Sequence, residues 1–333
     1  MKRIVGILCL ICIAALAYAD GNVEKGSRVE LRLAHHGVKG EIFSRWADEF
    51  VAAVKTNTEG RVDIKVFGAG QLGNVNEMID GVKSGTINIG MHDAASLAKF
   101  VPDMAVFNAP YIYRDPEHSV RVNDPYSSPV LIKLNKELVE KAGIRVIASV
   151  YRGARHISCK FPVYSPADLA GKKMRGVPLP IWVSMIKGIG AIPTPMDFSE
   201  LATALATGVV VAQENPLNNI WSGKIYEVSP FISLTGHMQS LQTCFINEKS
   251  WQKINEKDRA TIERLSKEYA QKSLVWTQSE LDDLKQKLIS NKCTIIDVKD
   301  GLKIDEFRKV ILAQISKDFS GWTSIISEIQ HIK

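Results

Sequence analysis

The sequence predicts an α/β protein, and three of its features lead to this prediction. Alternating apolar runs typical of strands take turns with amphipathic runs typical of helices along most of the chain. The strand–helix order starts again in the second half, and the 333 residues are enough for two lobes of roughly 100–200 residues each. This order favours mixed, mainly parallel sheets with helices on both faces.

The first residues are typical of a secretory signal peptide. Lys2 and Arg3 precede an apolar stretch over residues 4–16, and residues 17–19 match an A-x-A cleavage site. We therefore expect cleavage after Ala19 and export of the mature chain. The apolar stretch is too short to span a bilayer and no later window resembles a span, which predicts no direct membrane insertion.

The first half of the mature chain is predicted to hold four strands separated by three helices. In the first helix, apolar residues recur at helical spacing from Phe43 to Val54, and Gly60 ends it. The predicted strands are 29–36, 61–68, 86–93 and 144–151, and the helices are 42–60, 76–85 and 128–143.

The second half is predicted to restart the pattern. Its strands are 154–160, 171–177, 191–196 and the valine run after Gly208, and its helices are 181–190 and 199–208. Residues 255–290 contain neither Gly nor Pro, so they predict one long C-terminal helix, roughly 50 Å in length, that braces both lobes. The alternative is two helices with a kink near Val275 and Trp276.

Charge and cysteine content exclude several classes of protein. The formal net charge is +6 and no basic run occurs, so a nucleic-acid partner is not expected. The mature cysteines Cys159, Cys244 and Cys293 are odd in number and far apart, which argues against a disulfide framework or a metal site. Three reduced or buried thiols and one oxidised pair both remain open.

Motifs for catalysis, metals and cofactors are weak. His35 and His36 are adjacent on a predicted strand, so their rings point to opposite faces and cannot share one metal. The segment GAGQLG at 68–73 follows a strand but lacks the acidic residue of a dinucleotide site. We expect no cofactor, no metal and no catalysis; an exported enzyme that uses Asp93, Glu214 and the histidines is a remote alternative.

Two arginines and an amide-rich strand end form the candidate site. Arg155 and Arg175 lie in or beside predicted strands, where a planar guanidinium can bind a carboxylate through two hydrogen bonds. A structural ion pair is the alternative. The valine run ends in Gln213, Glu214 and Asn215, and an unpaired polar group in a core costs roughly 1–3 kcal/mol. These groups therefore indicate part of a pocket for a carboxylate.

Five segments resemble the solute-binding protein of a tripartite ATP-independent periplasmic (TRAP) transporter of the DctP type. They are FGAGQLG, FVPDMAVFNAPYIYRD, GARHIS, DLAGKKMRGVP and PTPMDFSELATALATGVVVAQENPLNNI. The resemblance implies a periplasmic-binding-protein fold, with two lobes around a cleft that closes on its ligand, and a periplasmic location. Lobe I would comprise residues 20–152 and 241–280, and lobe II residues 153–240 and 281–333.

The resemblance also implies roles for particular residues. Arg175 would clamp the carboxylate of the ligand, with Arg155 assisting. Asn215 would bond the same end of the ligand, and Phe198 would lie against it. Gly176 and neighbouring positions depart from the family pattern without removing the clamp, so no particular ligand can be transferred.

On the opposite wall, the resemblance implies that Glu77, Asp93 and His35 reach the far end of the ligand. Acidic groups there would repel a second carboxylate, so we expect a hydroxylated monocarboxylate such as a sugar acid rather than a dicarboxylate.

The implied function is capture of a small organic acid by a monomeric receptor. The receptor would deliver its ligand to the small and large membrane subunits of a TRAP permease, for uptake driven by an ion gradient. A receptor that presents an organic acid, including a dicarboxylate, to a sensor kinase is the alternative.

Overall fold

The computed structural model describes residues 28–333, so the predicted signal peptide and its cleavage after Ala19 lie outside the described residues. Within this range the strands join into a single nine-stranded sheet. The strands are β1 Val29–His35, β2 Val62–Phe67, β3 Ile89–His92, β4 Ile144–Cys159, β5 Lys173–Gly176, β6 Ile192–Pro195, β7 Ala212–Pro216, β8 Phe231–Asn247 and β9 Thr294–Ile296.

Helices cover both faces of this sheet. The α-helices are α1 Ile42–Asn57, α2 Val75–Ser84, α3 Pro116–Val122, α4 Pro129–Ala142, α5 Pro180–Ile189, α6 Phe198–Thr207, α7 Leu217–Ser222, α8 Glu248–Gln252, α9 Glu256–Ser279, α10 Leu281–Ser290, α11 Ile304–Asp318 and α12 Thr323–His331. Short 3-10 helices span Ala94–Lys99, Pro102–Asn108, Pro166–Leu169, Ile225–Glu227, Val298–Asp300 and Ser320–Trp322.

The strand order is β2-β1-β3-β8-β4-β7-β5-β6, with β9 beside β8. The strands β1, β2 and β3 form one parallel group, and β5, β6 and β7 form another. Between the two groups lie β4 and β8, which pair antiparallel with each other and with both groups. The predicted α/β fold with a mixed sheet is therefore confirmed.

Two long strands connect the two parallel groups. β4 is 16 residues long and joins the two segments that the sequence predicted as separate strands, 144–151 and 154–160, although it ends at Cys159. β8 is 17 residues long and runs beside β4 along almost its whole length. The lobes are therefore joined by ordered strands rather than by a flexible linker.

A bulge interrupts β4 where it passes from one group to the other. The register with β8 shifts between Tyr151 and Gly153, and Gly153 has a φ of +102°. The bulge frees backbone groups, and α9 binds them: Ser273 Oγ accepts from the Tyr151 N–H at 3.0 Å, and Thr277 Oγ1 donates to the Tyr151 carbonyl at 3.3 Å. Helix α9 thus holds the crossing strand in place.

The C-terminal helix is interrupted, as in the alternative interpretation. α9 ends at Ser279 and α10 begins at Leu281, with Glu280 between them at ψ −7°. The interruption lies beyond the Val275–Trp276 position suggested by the sequence. α9 packs on α1 and β4, whereas α10 packs on α7 and β9, so the two helices pack on different parts of the molecule.

The last helices contact both groups as well. α11 packs on α5, but α12 lies on the first group, near α3 and α4. Trp322 Nε1 donates to Asp103 Oδ1 at 3.1 Å, and Arg114 Nη2 donates to the Ile332 carbonyl at 2.7 Å. The sequence assigned the whole of 281–333 to lobe II, whereas its last helix contacts residues of lobe I.

The three described cysteines are free and buried. Burial raises the pKa of Cys244 and raises that of Cys293 to about 11, so these thiols stay protonated at neutral pH. Among residues 28–333, no helix combines the length and the hydropathy that a membrane span requires.

Candidate ligand-binding site

A cavity of about 320 Å³ lies between the two parallel groups. His36 and Asp93 line it from loops that follow β1 and β3, and Arg175, Phe198 and Asn215 line it from the other side. Its size falls within the roughly 300–1,000 Å³ of typical small-molecule sites. The loops at the carboxyl ends of parallel strands from both groups therefore meet at one site.

Arg155 forms a buried ion pair with Glu214. Neither residue is more than 1% exposed, and Arg155 Nη2 donates to Glu214 Oε1 at 2.7 Å while Arg155 Nε donates to Oε2. Trp182 Nε1 also donates to Oε1 at 3.0 Å, and His237 Nε2 lies 3.1 Å from Oε2. Burial alone would raise the pKa of Glu214, but Arg155 and these hydrogen bonds lower it to about 2.

For Arg155, the alternative considered from the sequence therefore applies: its guanidinium forms a structural ion pair with Glu214. Its Nε and Nη2 are engaged by Glu214, and Nη1 lies 3.4 Å from Ser240 Oγ. Only Nη1 is weakly engaged and could still donate to a ligand. Arg155 Nη2 also donates to Asn215 Oδ1 at 3.0 Å, so the ion pair fixes this amide beside the cavity.

The amides at the end of β7 are partnered as well. Asn215 Nδ2 donates to Gln213 Oε1 at 2.6 Å, which places both side chains on one side of the strand. Gln213 Nε2 in turn donates to Ser158 Oγ at 2.6 Å. A buried strand can thus end in three polar residues because each of them has a hydrogen-bond partner.

Arg175 keeps both of its terminal guanidinium nitrogens unpaired among the described residues. It is 3% exposed, and its Nε donates to the Met196 carbonyl at 3.1 Å. Across residues 28–333, neither Nη1 nor Nη2 has a hydrogen-bond partner. Burial lowers the pKa of Arg175 to about 10, so the side chain is still cationic at neutral pH. A buried cation with free donors at a cavity wall can bind an anion.

The opposite wall combines two histidines with an acid–base pair. The rings of His36 and His92 lie 4.8 Å apart, and burial is the main cause that lowers the pKa of both. Asp93 Oδ1 lies 4.0 Å from Arg152 Nη2, which donates to Ser240 Oγ at 2.9 Å. All four residues line the cavity, so this wall carries neutral rings beside a nearly balanced ion pair.

Five of the seven residues proposed from the sequence line this cavity, and two do not. The five are Arg175, Arg155, Asn215, Phe198 and Asp93. His35 is buried elsewhere: its Nδ1 accepts from the Gly37 N–H at 3.1 Å, and a Cβ on Gly68 would lie 2.9 Å from its ring.

Glu77 caps a helix instead of lining the cavity. Its exposed carboxylate accepts from the Asn74 N–H at 2.8 Å, as in a capping box. Gly73, which precedes this cap, has a φ of +105°, and a Cβ there would lie 2.5 Å from Glu77 Oε2. The glycine-rich loop itself lines the cavity through Ala69, Gly70 and Gly73, so the motif contributes backbone rather than a carboxylate.

The sequence interpretation missed His36, His92 and Arg152. The phase of β1 could have indicated His36, because His35 shares the strand face of buried Leu31 and Leu33. Arg152 and Arg155 would face opposite ways on a regular strand. The bulge beside Gly153 changes this alternation, and the glycine between the two predicted strands was the available sequence signal, because such a glycine is typical of a bulge.

Two groups of strands around a cavity, with the unpaired terminal nitrogens of Arg175 at its wall, define a two-lobed receptor for a small acidic solute. A family model described as bacterial extracellular solute-binding protein, family 7, matches residues 33–319. The chain belongs to this family, the periplasmic solute-binding proteins of TRAP transporters. Its relatives are receptors and not enzymes.

Two curated relatives illustrate the similarity. A solute-binding protein of Roseobacter denitrificans is 33% identical over 260 residues, which covers 78% of each chain. The 2,3-diketo-L-gulonate-binding periplasmic protein of Escherichia coli is 34% identical over 245 residues, covering 73% of this chain and 70% of that protein.

Solved structures agree with the fold. A TRAP periplasmic solute-binding protein of Roseobacter denitrificans with bound L-galactonate has a TM-score of 0.82 and 28% identity, covering 91% of this chain and 99% of that one. A counterpart from Actinobacillus succinogenes, also with bound L-galactonate, has a TM-score of 0.82 and 25% identity, covering 90% and 99%.

Proposed function

We propose that this protein captures a small organic acid between its lobes, with Arg175 as the carboxylate clamp. The observation that carries the proposal is the pair of unpaired guanidinium nitrogens on a 3%-exposed arginine at the cavity wall. A bidentate carboxylate would supply their missing partners, and the low local dielectric strengthens such a contact.

Arg155 and Asn215 support the clamp in different ways. An N–H group of Arg155 Nη1 can donate a hydrogen bond to the ligand, while Nε and Nη2 donate to Glu214. One N–H of Asn215 Nδ2 donates a hydrogen bond to Gln213, and its second N–H is available to donate to the ligand. Phe198, the first residue of α6, offers an apolar surface beside them.

We infer that the ligand is a hydroxylated monocarboxylate such as a sugar acid. Asp93 and Arg152 leave the opposite wall with little net charge, so a second carboxylate gains less there than at the clamp. Two structural neighbours at 25% identity or more hold L-galactonate, and a curated relative is named for binding 2,3-diketo-L-gulonate. These names belong to the relatives, and they support the same chemical class here.

We further propose that the loaded receptor acts as a monomer in the periplasm and delivers its acid to a TRAP permease. The small and large membrane subunits would accept the closed form, and an ion gradient would drive uptake. The family and its periplasmic location support this step. Contacts of one ligand with both lobes would favour the closed form over the open one.

The experiment is calorimetric titration of the mature protein with L-galactonate, D-glucuronate and succinate. We expect a sugar acid to bind more tightly than succinate. Arg175→Ala should weaken that binding by about 2–5 kcal/mol, which corresponds to about 30-fold to a few thousand-fold in Kd.

Arg308→Ala is the matched control, because Arg308 is exposed and lies over the ring of Tyr111, away from the cavity. It should leave the affinity unchanged. Binding by Arg175→Ala within a few-fold of the wild type would rule out the clamp, and absence of binding to every acid would rule out the receptor function.

A further inference from the structure

The wall opposite Arg175 holds several polar atoms that lack partners. The buried Nδ1 atoms of His36 and His92 and the buried Nε of Arg152 have no hydrogen-bond partner within the described part of the chain. Asp93, His92 and Arg152 are 3–4% exposed, and His36 is partly buried. Buried polar groups are normally paired, so this wall indicates missing hydrogen-bond partners.

Arg152 is fixed where it can serve the cavity. It projects from β4 beside the bulge, and its Nη2 donates to Ser240 Oγ at 2.9 Å. Its guanidinium lies 5.1 Å from the centre of the Phe43 ring. Its Nε is buried and has no partner in residues 28–333. The Arg152 side chain is thus positioned by the hydrogen bond from Nη2 and by the Phe43 ring, and its other N–H groups remain free to donate.

The charges on this wall nearly cancel. Asp93 Oδ1 lies 4.0 Å from Arg152 Nη2, close enough to offset the charge but too far for a hydrogen bond. The histidines add no charge, because burial keeps the pKa of both low. A neutral imidazole has one donor and one acceptor nitrogen. The wall therefore offers donors and acceptors side by side with little net charge.

This combination suits hydroxyl groups better than a second anion or an apolar tail. A hydroxyl donates one hydrogen bond and accepts others, so it can bridge a carboxylate and a guanidinium that stand too far apart to bond directly. An apolar tail would leave the polar atoms of this wall without hydrogen-bond partners. A site that forms hydrogen bonds with its ligand rejects analogues that lack the matching groups.

We propose that Arg152, with Asp93, His36 and His92, forms a hydroxyl-binding subsite that selects polyhydroxylated acids over short or doubly charged ones. The inference rests on the proposed function, because it assumes that Arg175 holds the carboxylate at the other end. Arg152 determines specificity by direct contact with ligand hydroxyls.

The test compares L-galactonate with L-lactate, whose carboxylate reaches Arg175 but which has no far hydroxyls. In Arg152→Gln, Kd for L-galactonate should rise about tenfold or more, since a hydrogen bond to a charged group is lost. Kd for L-lactate, measured by competition, should change by less than about threefold. Galactarate, with a carboxylate at each end, should bind the wild type about tenfold more weakly than L-galactonate.

Arg121→Gln is the matched control. Arg121 also has a buried Nε without a partner in the described chain, but it lies away from this cavity. It should leave both affinities unchanged. Equal weakening of both acids in Arg152→Gln would mean a structural role, and an unchanged L-galactonate affinity would mean no contact; either result overturns the subsite.

A second variant covers the case in which Arg152→Gln fails to fold. His92→Phe keeps a planar ring and should reduce the preference for L-galactonate over L-lactate in the same direction. Wild-type protein that binds succinate but not L-galactonate would overturn the subsite and leave the acid receptor in place. Wild-type protein that binds none of these acids would remove the proposed function itself.

Discussion

The carboxylate of Glu214 is fully buried, where an isolated charge would strongly destabilise the fold. Neighbouring hydrogen-bonding groups offset this cost. Two nitrogens of Arg155, the indole of Trp182 and the ring of His237 all contact it. Because removal of one partner of a buried ion pair strands the other, the pair is sensitive to single changes. Glu214 therefore stabilises the fold and positions Arg155 at the cavity.

Glu214→Gln should destabilise the protein by about 3–5 kcal/mol at neutral pH, because Arg155 loses its counter-charge. The pKa of Glu214 falls from an ordinary 4.5 to about 2 on folding. Its stabilising effect is therefore complete above pH 4.5 and is lost as the pH falls towards 2. Urea unfolding at pH 7 and pH 3 should show a smaller difference between variant and wild type at the lower pH.

Glu77→Gln is the control for that comparison, because glutamine can still cap α2. It should change the free energy of unfolding by less than about 0.5 kcal/mol at either pH. A Glu214→Gln deficit of the same size at both pH values would contradict the assigned charge state.

Among single residues, residue type and context predicted Arg175, Arg155 and Asn215, which line the cavity, but not His36, His92 and Arg152. Arg175 and Asn215 were found from residue type and position beside strands. The choice of His35 over His36 was a matter of strand phase, and Glu77 was taken for a binding group although its spacing from Asn74 fits a capping box. Arg152 reaches the cavity through a bulge, and Gly153 is the one sequence signal for that bulge.

At the level of secondary structure, the bulge in β4 is the feature on which the site depends. It brings Arg152 and Arg155 to one cavity and frees the backbone groups that α9 binds. Gly153 has a φ of +102°, where side chains are strained, and a Cβ would lie 3.2 Å from Thr277 Cγ2. Glycine is therefore required by both conformation and space.

Gly153→Ala should destabilise the protein by about 1–2 kcal/mol or more, because the positive φ penalises a Cβ. Thermal unfolding of the ligand-free protein measures the loss. Gly321→Ala is the control, since Gly321 has no atom within 4 Å of a Cβ and no positive φ. Equal melting temperatures for Gly153→Ala and Gly321→Ala would show that the bulge relaxes without strain.

Hydrophobic periodicity predicted the helices and strands well, but it predicted the boundaries between them less well. The predicted helices and strands recur in the structure, but two predicted strands are one, because packing of β4 against β8 continues through the bulge. The break in the long helix at Glu280 has no Gly or Pro to mark it. It follows from tertiary contacts, since α10 turns its buried Leu284 and Leu288 towards α7 and β9.

Across the whole molecule, the amino end of α1 contacts α7 beside the cavity. Asn219 Nδ2 donates to Glu41 Oε2 at 2.7 Å, and the Ile42 N–H donates to Asn218 Oδ1 at 3.0 Å. Burial raises the pKa of Glu41 to about 7, although nearby Arg152 opposes the rise. A contact between the two lobes thus includes an acid that titrates near neutral pH.

Stability should therefore fall as the pH rises from 5 to 8. A carboxyl with a raised pKa favours folding while protonated, and this advantage is lost as the pH passes through about 7. Glu41→Gln should reduce that fall by about 1–3 kcal/mol. Melting temperatures at the two pH values measure it, and Glu49→Gln, within α1 and with a side chain that is 42% exposed, should behave as the wild type. A pH dependence unchanged by Glu41→Gln would show that this carboxyl is ionised throughout.

The two-lobed arrangement followed from the family resemblance, but the meeting of distant residues required the structure. Arg152 and Asp93 approach because β3 and β4 both pair with β8. Such proximity arises from chain crossing, and no local pattern encodes it. The same limit applies to α12, whose position on the first group of strands could not be read from its own residues.

The place of β8 at the middle of the sheet has a consequence for how the chain is made. β3 pairs with β8 from residue 89 onward, and β8 begins only at Phe231. Until more than two thirds of the polypeptide has left the ribosome, the early strands have no central neighbour and cannot finish their hydrogen bonding. Because β8 is synthesised late, the sheet of this member of a periplasmic family is completed only after most of the chain has been made.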